Sequence, residues 1–325
     1  MSGDAVPSTT VSRDRKIVIT GAAGLVGQNL VLLLREAGYT HLVAIDKQPS
    51  NLALLARLNP GVRVVEADLA VPGEWESELP GTDVAVVLHA QITGKSAAPF
   101  ERNNIDASRL VFDALRRAAV PYTVHISSSV VNSVAIDDYT KTKLRQERMF
   151  LESGLAGCVL RPTLMFGWFD PKHFGWLARF MERAPVFPIP GHGRYMRQPL
   201  YERDFCRAIL WCVENRPKGA VYDLVGAERI DYIDIIRAIR DVKGLRTPVV
   251  RIPYGLFDAL LRLYAVFSDR PPFTSSQLKA LTAGDDFKGV ELEKTFGFRP
   301  TPLAAALRET FCHPEYSRLV VERTD

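Results

Sequence analysis

Apolar residues in the first half of the chain fall into short blocks of two kinds. "KIVIT" (16–20), "HLVAID" (41–46), "VRVVEAD" (62–68), "DVAVVLHA" (83–90) and "YTVHISSS" (122–129) are compact and rich in β-branched residues. Near-continuous apolar runs of this length predict strands buried on both faces. Between them, "GLVGQNLVLLLREAG", "NLALLARL" and "FERNNIDASRLVFDALRRAA" space their apolar positions as helices do, and "DDYTKTKLRQE" (137–147) opens a further helix. Strands alternating with helices predict a parallel sheet covered on both sides by right-handed crossovers. The expected fold is therefore α/β, a Rossmann-type doubly wound parallel sheet.

After about residue 165 the pattern loosens. "HFGWLARFMERA", "RDFCRAILWCVEN" and "YIDIIRAIRDV" read as helices, "AVYDLVG" and "TPVVRI" as short strands, and Pro and Gly cluster in "PVFPIPGHG" and "DRPPF". The expected division is a flexible N-terminal arm (1–14), a dinucleotide-binding domain (15–165), and a smaller C-terminal α/β substrate lobe (166–325) with some segments returning to the Rossmann core.

Composition adds mainly exclusions. The 325 residues are 47% hydrophobic, enough for a large core. A formal charge of +4 on 41 basic and 37 acidic residues gives no basic stripe, so nucleic acid is not an expected partner. Cys158, Cys206, Cys212 and Cys312 have neither CxxC nor metal spacing and read as reduced thiols of a cytoplasmic protein. His89, His125 and His192 stand apart from one another and no HExxH occurs, so no metal is expected. His125, in a core strand, is expected to be a satisfied structural histidine. The N-terminus lacks the apolar segment of a secretory signal. The longest apolar run, "IPYGLFDALLRLYAVF" (252–267), is interrupted by Asp258 and Arg262 and falls short of the roughly 20 residues a membrane span needs. Three roles fit it: covering a core, lining a hydrophobic pocket, or touching a membrane surface.

Chemistry enters with "VITGAAGLVGQNL", which ends the first strand and opens the first helix. Gly21, Gly24 and Gly27, followed by Leu25 and Val26 in the first turn, allow a tight turn, close approach of a pyrophosphate, and close packing of helix on strand. Asp46 ends the second strand, where a carboxylate accepts hydrogen bonds from an adenosine ribose and repels a 2′-phosphate. NAD is thus favoured over NADP, a preference that the neighbouring Lys47 weakens. "TGKS" (93–96) is not a triphosphate loop, because His89 stands where the required glycine would be.

Tyr139 and Lys143 are four residues apart and share a helix face. Ser127, Ser128 and Ser129 lie at the C-terminal end of a predicted parallel strand, the edge at which open α/β sheets bind ligands. A phenol with a reference pKa near 10 is a weak base at neutral pH, and a nearby ammonium favours its phenolate. Lowering that pKa by about 3 units takes roughly 4 kcal/mol, which Lys143 and a bound nicotinamide can share. A serine hydroxyl can hold the reacting oxygen.

With these motifs in this order, the chain resembles the extended short-chain dehydrogenase/reductases, the NAD-dependent epimerase/dehydratase family, over roughly residues 16–310. The glycine loop, "EADL", "LHAQ", "NNIDAS", "ISSSVV", "YTKTK", "LRPTLMFG" and "MRQPLYERDF" carry the resemblance. It implies Asp68 and Leu69 beside the adenine, Ala90 and Gln91 along the cofactor, Asn104 as the motif asparagine, and Pro162 at the nicotinamide. It implies Ser129, Tyr139 and Lys143 as the catalytic triad, Lys143 also holding the nicotinamide ribose, and a homodimer.

Many members of this family act on nucleotide-sugars. Arg197 matches the arginine they place on a substrate pyrophosphate, with Ser128 and Arg270 as further substrate contacts; a guanidinium fork suits a diphosphate. Val130 and Val131 replace the Asp–Glu pair of the 4,6-dehydratases, so elimination is not expected. Ser129 and Tyr139 are only ten residues apart, Leu164 replaces a common asparagine, and the late arginine–glycine–aspartate element is missing. The last changes, with the apolar helix, resemble the 3β-hydroxysteroid and sterol dehydrogenase branch. The leading expectation is an NAD-dependent epimerase or dehydrogenase of a nucleotide-sugar secondary alcohol. The alternatives are a dehydrogenase of a hydrophobic alcohol and a non-catalytic dinucleotide-binding sensor or assembly protein.

Overall fold

The computed structural model describes residues 12–94, 96–132, 137–267, 278–279, 281–282 and 287–322. Six strands follow one another: β1 (Ile17–Thr20), β2 (Leu42–Asp46), β3 (Arg63–Glu66), β4 (Val84–Val87), β5 (Thr123–Ile126) and β6 (Gly157–Pro162). With Val221–Leu224 they form one seven-stranded sheet, which from that edge strand runs β6, β5, β4, β1, β2, β3. The pairings of β1 with β2 and β4, of β2 with β3 and of β4 with β5 are parallel. The ladder from β5 to β6 keeps this sense, Thr123 N–H donating to Ala156 O and Ser127 N–H to Leu160 O. So does that from β6 to the edge strand, Val159 N–H donating to Ala220 O and Thr163 N–H to Leu224 O. This is the doubly wound order, with its reversal at the β1–β4 boundary, where such sheets bind ligands. Every residue of β1, β4 and β5 is buried, so the apolar blocks follow from both faces being covered.

The chain divides into two compact units. One comprises Met1–Ile126, Asp137–Val159 and Ile209–Ala220; the other comprises Ser127–Ile136, Leu160–Ala208 and Val221–Asp325. The first has a core of Val18, Ile45, Val87, Val111, Phe112 and Phe150 among others. The second is built on Phe166, Phe174, Met181, Ile233, Ile236 and Leu307, with helices Phe174–Arg183, Tyr232–Val242 and Leu303–Cys312.

One helix differs from the sequence reading in a way that bears on the site. The single helix expected over 100–119 is an α-turn (Ala97–Phe100), a π-turn (Glu101–Asp106) and an α-helix (Ala107–Arg117). Such π-turns cluster at functional sites. The helix carrying Tyr139 and Lys143 spans Asp138–Glu152, and Asp137 caps it by accepting the Thr140 N–H at 2.7 Å.

Candidate active site

The three glycines of the first loop have different reasons to be glycine. Gly21 has φ +69°, and a Cβ there would lie 2.6 Å from His89 N. A Cβ on Gly27 would lie 2.2 Å from Ala22 O. Gly24 has an ordinary φ of −76°, and its nearest obstacle would be Gly21 O at 3.5 Å. Protein packing therefore demands glycine at the outer two positions and not at the middle one. Gly24 precedes the Leu25–Glu36 helix and offers it no side-chain cap, so a bare backbone and a helix N-terminus meet in one cradle. That combination fits a pyrophosphate.

Asp46 is tied to this loop. Its Oδ2 accepts the Ala23 N–H at 2.9 Å, and Oδ1 accepts those of Lys47 (2.7 Å) and Gln48 (3.1 Å). Burial raises its carboxyl above the usual range despite those bonds. Lys47 Nζ donates to Asn103 Oδ1 at 3.0 Å, and Asn103 Nδ2 to Gln91 Oε1 at 2.9 Å. At Asp68 burial pushes the carboxyl up, but the Ala70 N–H (3.0 Å) and Arg102 (2.7 Å) outweigh it and hold it below the usual range. Leu69 is buried and Ala90 half-buried. Asn104, on the π-turn and fully buried, accepts the Gln91 N–H at 2.6 Å. Its amide donates to Gln91 O (3.1 Å) and Thr142 Oγ1 (3.0 Å), joining the loop after β4 to the Asp138–Glu152 helix.

Lys143 is 1% exposed. Its Nζ donates to Ile126 O at 2.9 Å, the last carbonyl of β5, and to Gln146 Oε1 at 2.5 Å. Burial lowers its pKa to about 7, against the opposing charge of Glu147. Beyond it a buried polar chain runs inward. Gln146 Nε2 donates to Ser108 Oγ (2.7 Å), which lies 3.0 Å from His89 Nε2, and His89 Nδ1 lies 2.9 Å from Thr20 Oγ1. Burial, then Lys143 and Lys47, hold the His89 pKa down to about 3, so the ring is neutral and its two nitrogens differ in role. Tyr139 is half-buried, one turn before Lys143.

Gln146, Ser108, Thr20 and Thr142 did not stand out in the sequence. Gln146 was within reach of periodicity, being seven residues after Tyr139 and three after Lys143 on one helix face. His125 corrects an expectation. It is in the core, but neither ring nitrogen has a hydrogen-bond partner. It stacks on Phe150 at 5.1 Å and meets the edge of Phe112 at 5.6 Å, and burial keeps its pKa far below the usual value.

The remaining expected site residues belong to the second unit. Ser127, Ser128 and Ser129 are all buried. Ser128 Oγ accepts the Val130 N–H at 3.4 Å, and Ser129 opens a 3₁₀ turn, Ser129–Asn132. Pro162 closes β6. Arg197 is half-buried on the short strand Met196–Arg197, which pairs with Ile230–Asp231, and its guanidinium donates to Leu281 O. Asp204, in the first turn of the Glu202–Asn215 helix, accepts the Thr301 N–H (2.7 Å) and hydroxyl (2.9 Å). Arg270 lies outside the described residues. Among the described residues no group of His, Cys, Asp and Glu could hold a metal ion.

The model of one protein family, the NAD dependent epimerase/dehydratase family, matches residues 17–224, from the first strand to the edge strand of the sheet. The chain belongs to this family. It is thus an enzyme of the extended short-chain dehydrogenase/reductase type, and NAD is its cofactor. It is 24% identical to a ceramide reductase of Caulobacter vibrioides over 73% of each chain. It is 22% identical to the decarboxylating sterol-4-alpha-carboxylate 3-dehydrogenase of Mus musculus, covering 89% of this chain and 88% of the mouse protein. Among solved structures, the UDP-glucose 4-epimerase of Thermotoga maritima, solved with UDP-glucose, superposes with a TM-score of 0.73 at 20% identity, covering 93% of this chain and 98% of that one. At that identity the likeness concerns the fold.

Proposed function

We propose that the chain oxidises a secondary alcohol of a nucleotide-sugar and, by retaining the ketone and reducing it on its other face, releases the epimer. The observation that carries this reading is the buried ammonium of Lys143, fixed by Ile126 O and Gln146 Oε1 one turn from Tyr139. Gly24 and the first turn Leu25–Gly27 would hold the NAD pyrophosphate, with Asp46 and Lys47 at the adenosine ribose and Asp68 and Leu69 at the adenine. Ala90, Gln91, Asn104 and Pro162 would line the rest of the cofactor. When bound, NAD supplies the acceptor for the hydride that leaves the carbinol carbon. Tyr139, as phenolate, takes the hydroxyl proton. Lys143 stabilises that phenolate and orients the nicotinamide ribose. Ser129 holds the reacting oxygen, Ser128 is a further substrate contact, and Arg197 engages the substrate diphosphate.

A second reading keeps the redox step and changes the substrate to a hydrophobic alcohol. The likeness to a ceramide reductase and a sterol dehydrogenase favours it, and so does the apolar character of the Tyr254–Phe267 helix. One experiment separates the two. Purified protein with NAD is offered UDP- and dTDP-sugars, and in parallel sterol and sphingoid alcohols. Epimer formation from a nucleotide-sugar supports the first reading. NADH production from a hydrophobic alcohol alone replaces it with the second.

A further inference from the structure

The Tyr254–Phe267 helix is turned against the usual rule. Leu256, Leu260 and Leu263 are 54%, 48% and 57% exposed. At 3.6 residues per turn they fall within about 60° of arc. Asp258, roughly on the opposite side of the helix, is the sheltered residue, its side chain 18% exposed and paired with Arg262 at 2.9 Å. Exposed leucines scattered singly need no explanation, but three in one stripe do. In the preceding strand Val250 is 43% exposed as well.

Charge indicates what this face meets. From Val242 to Phe267 the sequence has four cations, Lys243, Arg246, Arg251 and Arg262, and a single acid, Asp258. Lys243 is paired with Glu182 and Arg262 with Asp258, while Arg246 and Arg251 are exposed. An exposed leucine stripe preceded in the chain by exposed cations suits an anionic bilayer surface, in which the helix lies flat. No described helix is long and apolar enough to cross a membrane, so the contact is with one leaflet.

We propose that this face, Val250 to Leu263, docks on anionic lipid surfaces, with Leu256, Leu260 and Leu263 entering the headgroup–acyl boundary and Arg246 and Arg251 engaging lipid phosphates. The docking does not depend on which substrate the enzyme takes.

The test uses the full chain and sedimentation with phosphatidylcholine vesicles, with and without phosphatidylglycerol. The expected result is co-sedimentation with the anionic vesicles, at least tenfold weaker with pure phosphatidylcholine and weakened by salt. The triple variant L256Q/L260Q/L263Q, its melting curve unchanged, should lose the binding. R246Q/R251Q should weaken it by more than tenfold, at roughly fivefold per cation near an anionic surface. Wild-type protein that stays in the supernatant with both vesicle types overturns the proposal, as does binding that the triple variant retains. Concentration-dependent self-association abolished by the same variant, without vesicle binding, also overturns it and makes the face a contact with a second copy.

Discussion

Lys143 holds a charge where water is excluded, and its burial has a direct thermodynamic consequence. Its folded pKa, about 7, lies below the ordinary lysine value of 10.5. The cost of the buried charge is therefore fully present below pH 7 and is relieved as pH rises from about 7 towards 10.5. For catalysis the charged form is the useful one. Gln146→Leu removes the acceptor 2.5 Å from Nζ and should move the alkaline limb of the rate profile to lower pH. Gln146→Glu places a carboxylate there and should move it up. Opposite shifts in the pH profiles of kcat and NAD affinity check the assignment, since a purely structural glutamine would give none. Among the described residues, Glu147 on its own helix raises the pKa of this ammonium, and the two histidines beside it, His89 and His125, are held neutral. Tyr139→Phe removes the proposed base and leaves the packing of the helix intact. It should lower kcat by roughly a thousandfold, the range a positioned acid–base group supplies, while NAD affinity measured by fluorescence quenching changes less than about threefold.

At the scale of elements, the glycine loop and its helix make the division between ligand and packing testable. Gly24→Ala places a methyl group 3.5 Å from the nearest protein atom, so the melting temperature should hold while NAD binding weakens at least tenfold. Gly27→Ala drives a methyl into Ala22 O at 2.2 Å and should cost about 3 kcal/mol, the upper range for overpacking, read by urea denaturation. The loop was legible in the sequence because its chemistry is local: strand, three glycines, helix, and an acid at the end of β2. β1, β4 and β5 were legible because both faces are buried, whereas β3, partly exposed at the sheet edge, was legible from its β-branched residues. The π-turn at Glu101–Asp106 was not, since its cause is non-local: Asn104 must reach both Gln91 and Thr142. The His89–Ser108–Gln146 chain was hidden for the same reason, as its members come from three separated segments. His125 misled because residue type suggests partners that the aromatic pair Phe112 and Phe150 does not supply.

For the whole molecule, the buried ionisable groups combine into an unusual pH profile of stability. Glu202, fully buried at the start of the Glu202–Asn215 helix, has its pKa raised to about 8 by burial, with Asp170 adding repulsion. Its Oε1 takes only a weak bond from the Cys206 thiol at 3.8 Å, and Oε2 has no partner. The folded state therefore keeps this carboxyl protonated while the unfolded chain releases the proton near pH 4.5. Folding binds the extra proton throughout that window, so stability falls as pH rises from about 4.5 to 8; the raised carboxyl of Asp46 acts with the same sign. Lys143 acts in the opposite sense above 7. His89 and His125, both held below the ordinary histidine value, act with the sign of Lys143 between about pH 3 and 6.5, and the buried thiols of Cys206 and Cys212, both raised, act with the sign of Glu202 at alkaline pH. The contribution of one group is therefore read as the difference between its variant and the wild type. Each group contributes at most ~1.4 kcal/mol per pH unit. Glu202→Gln should gain stability relative to the wild type progressively from about pH 4.5 to 8. The stability of Lys143→Met relative to the wild type should fall as pH rises above about 7. Urea unfolding of the wild type and both variants across pH 5 to 9.5 checks this, and differences that do not change with pH would rule it out.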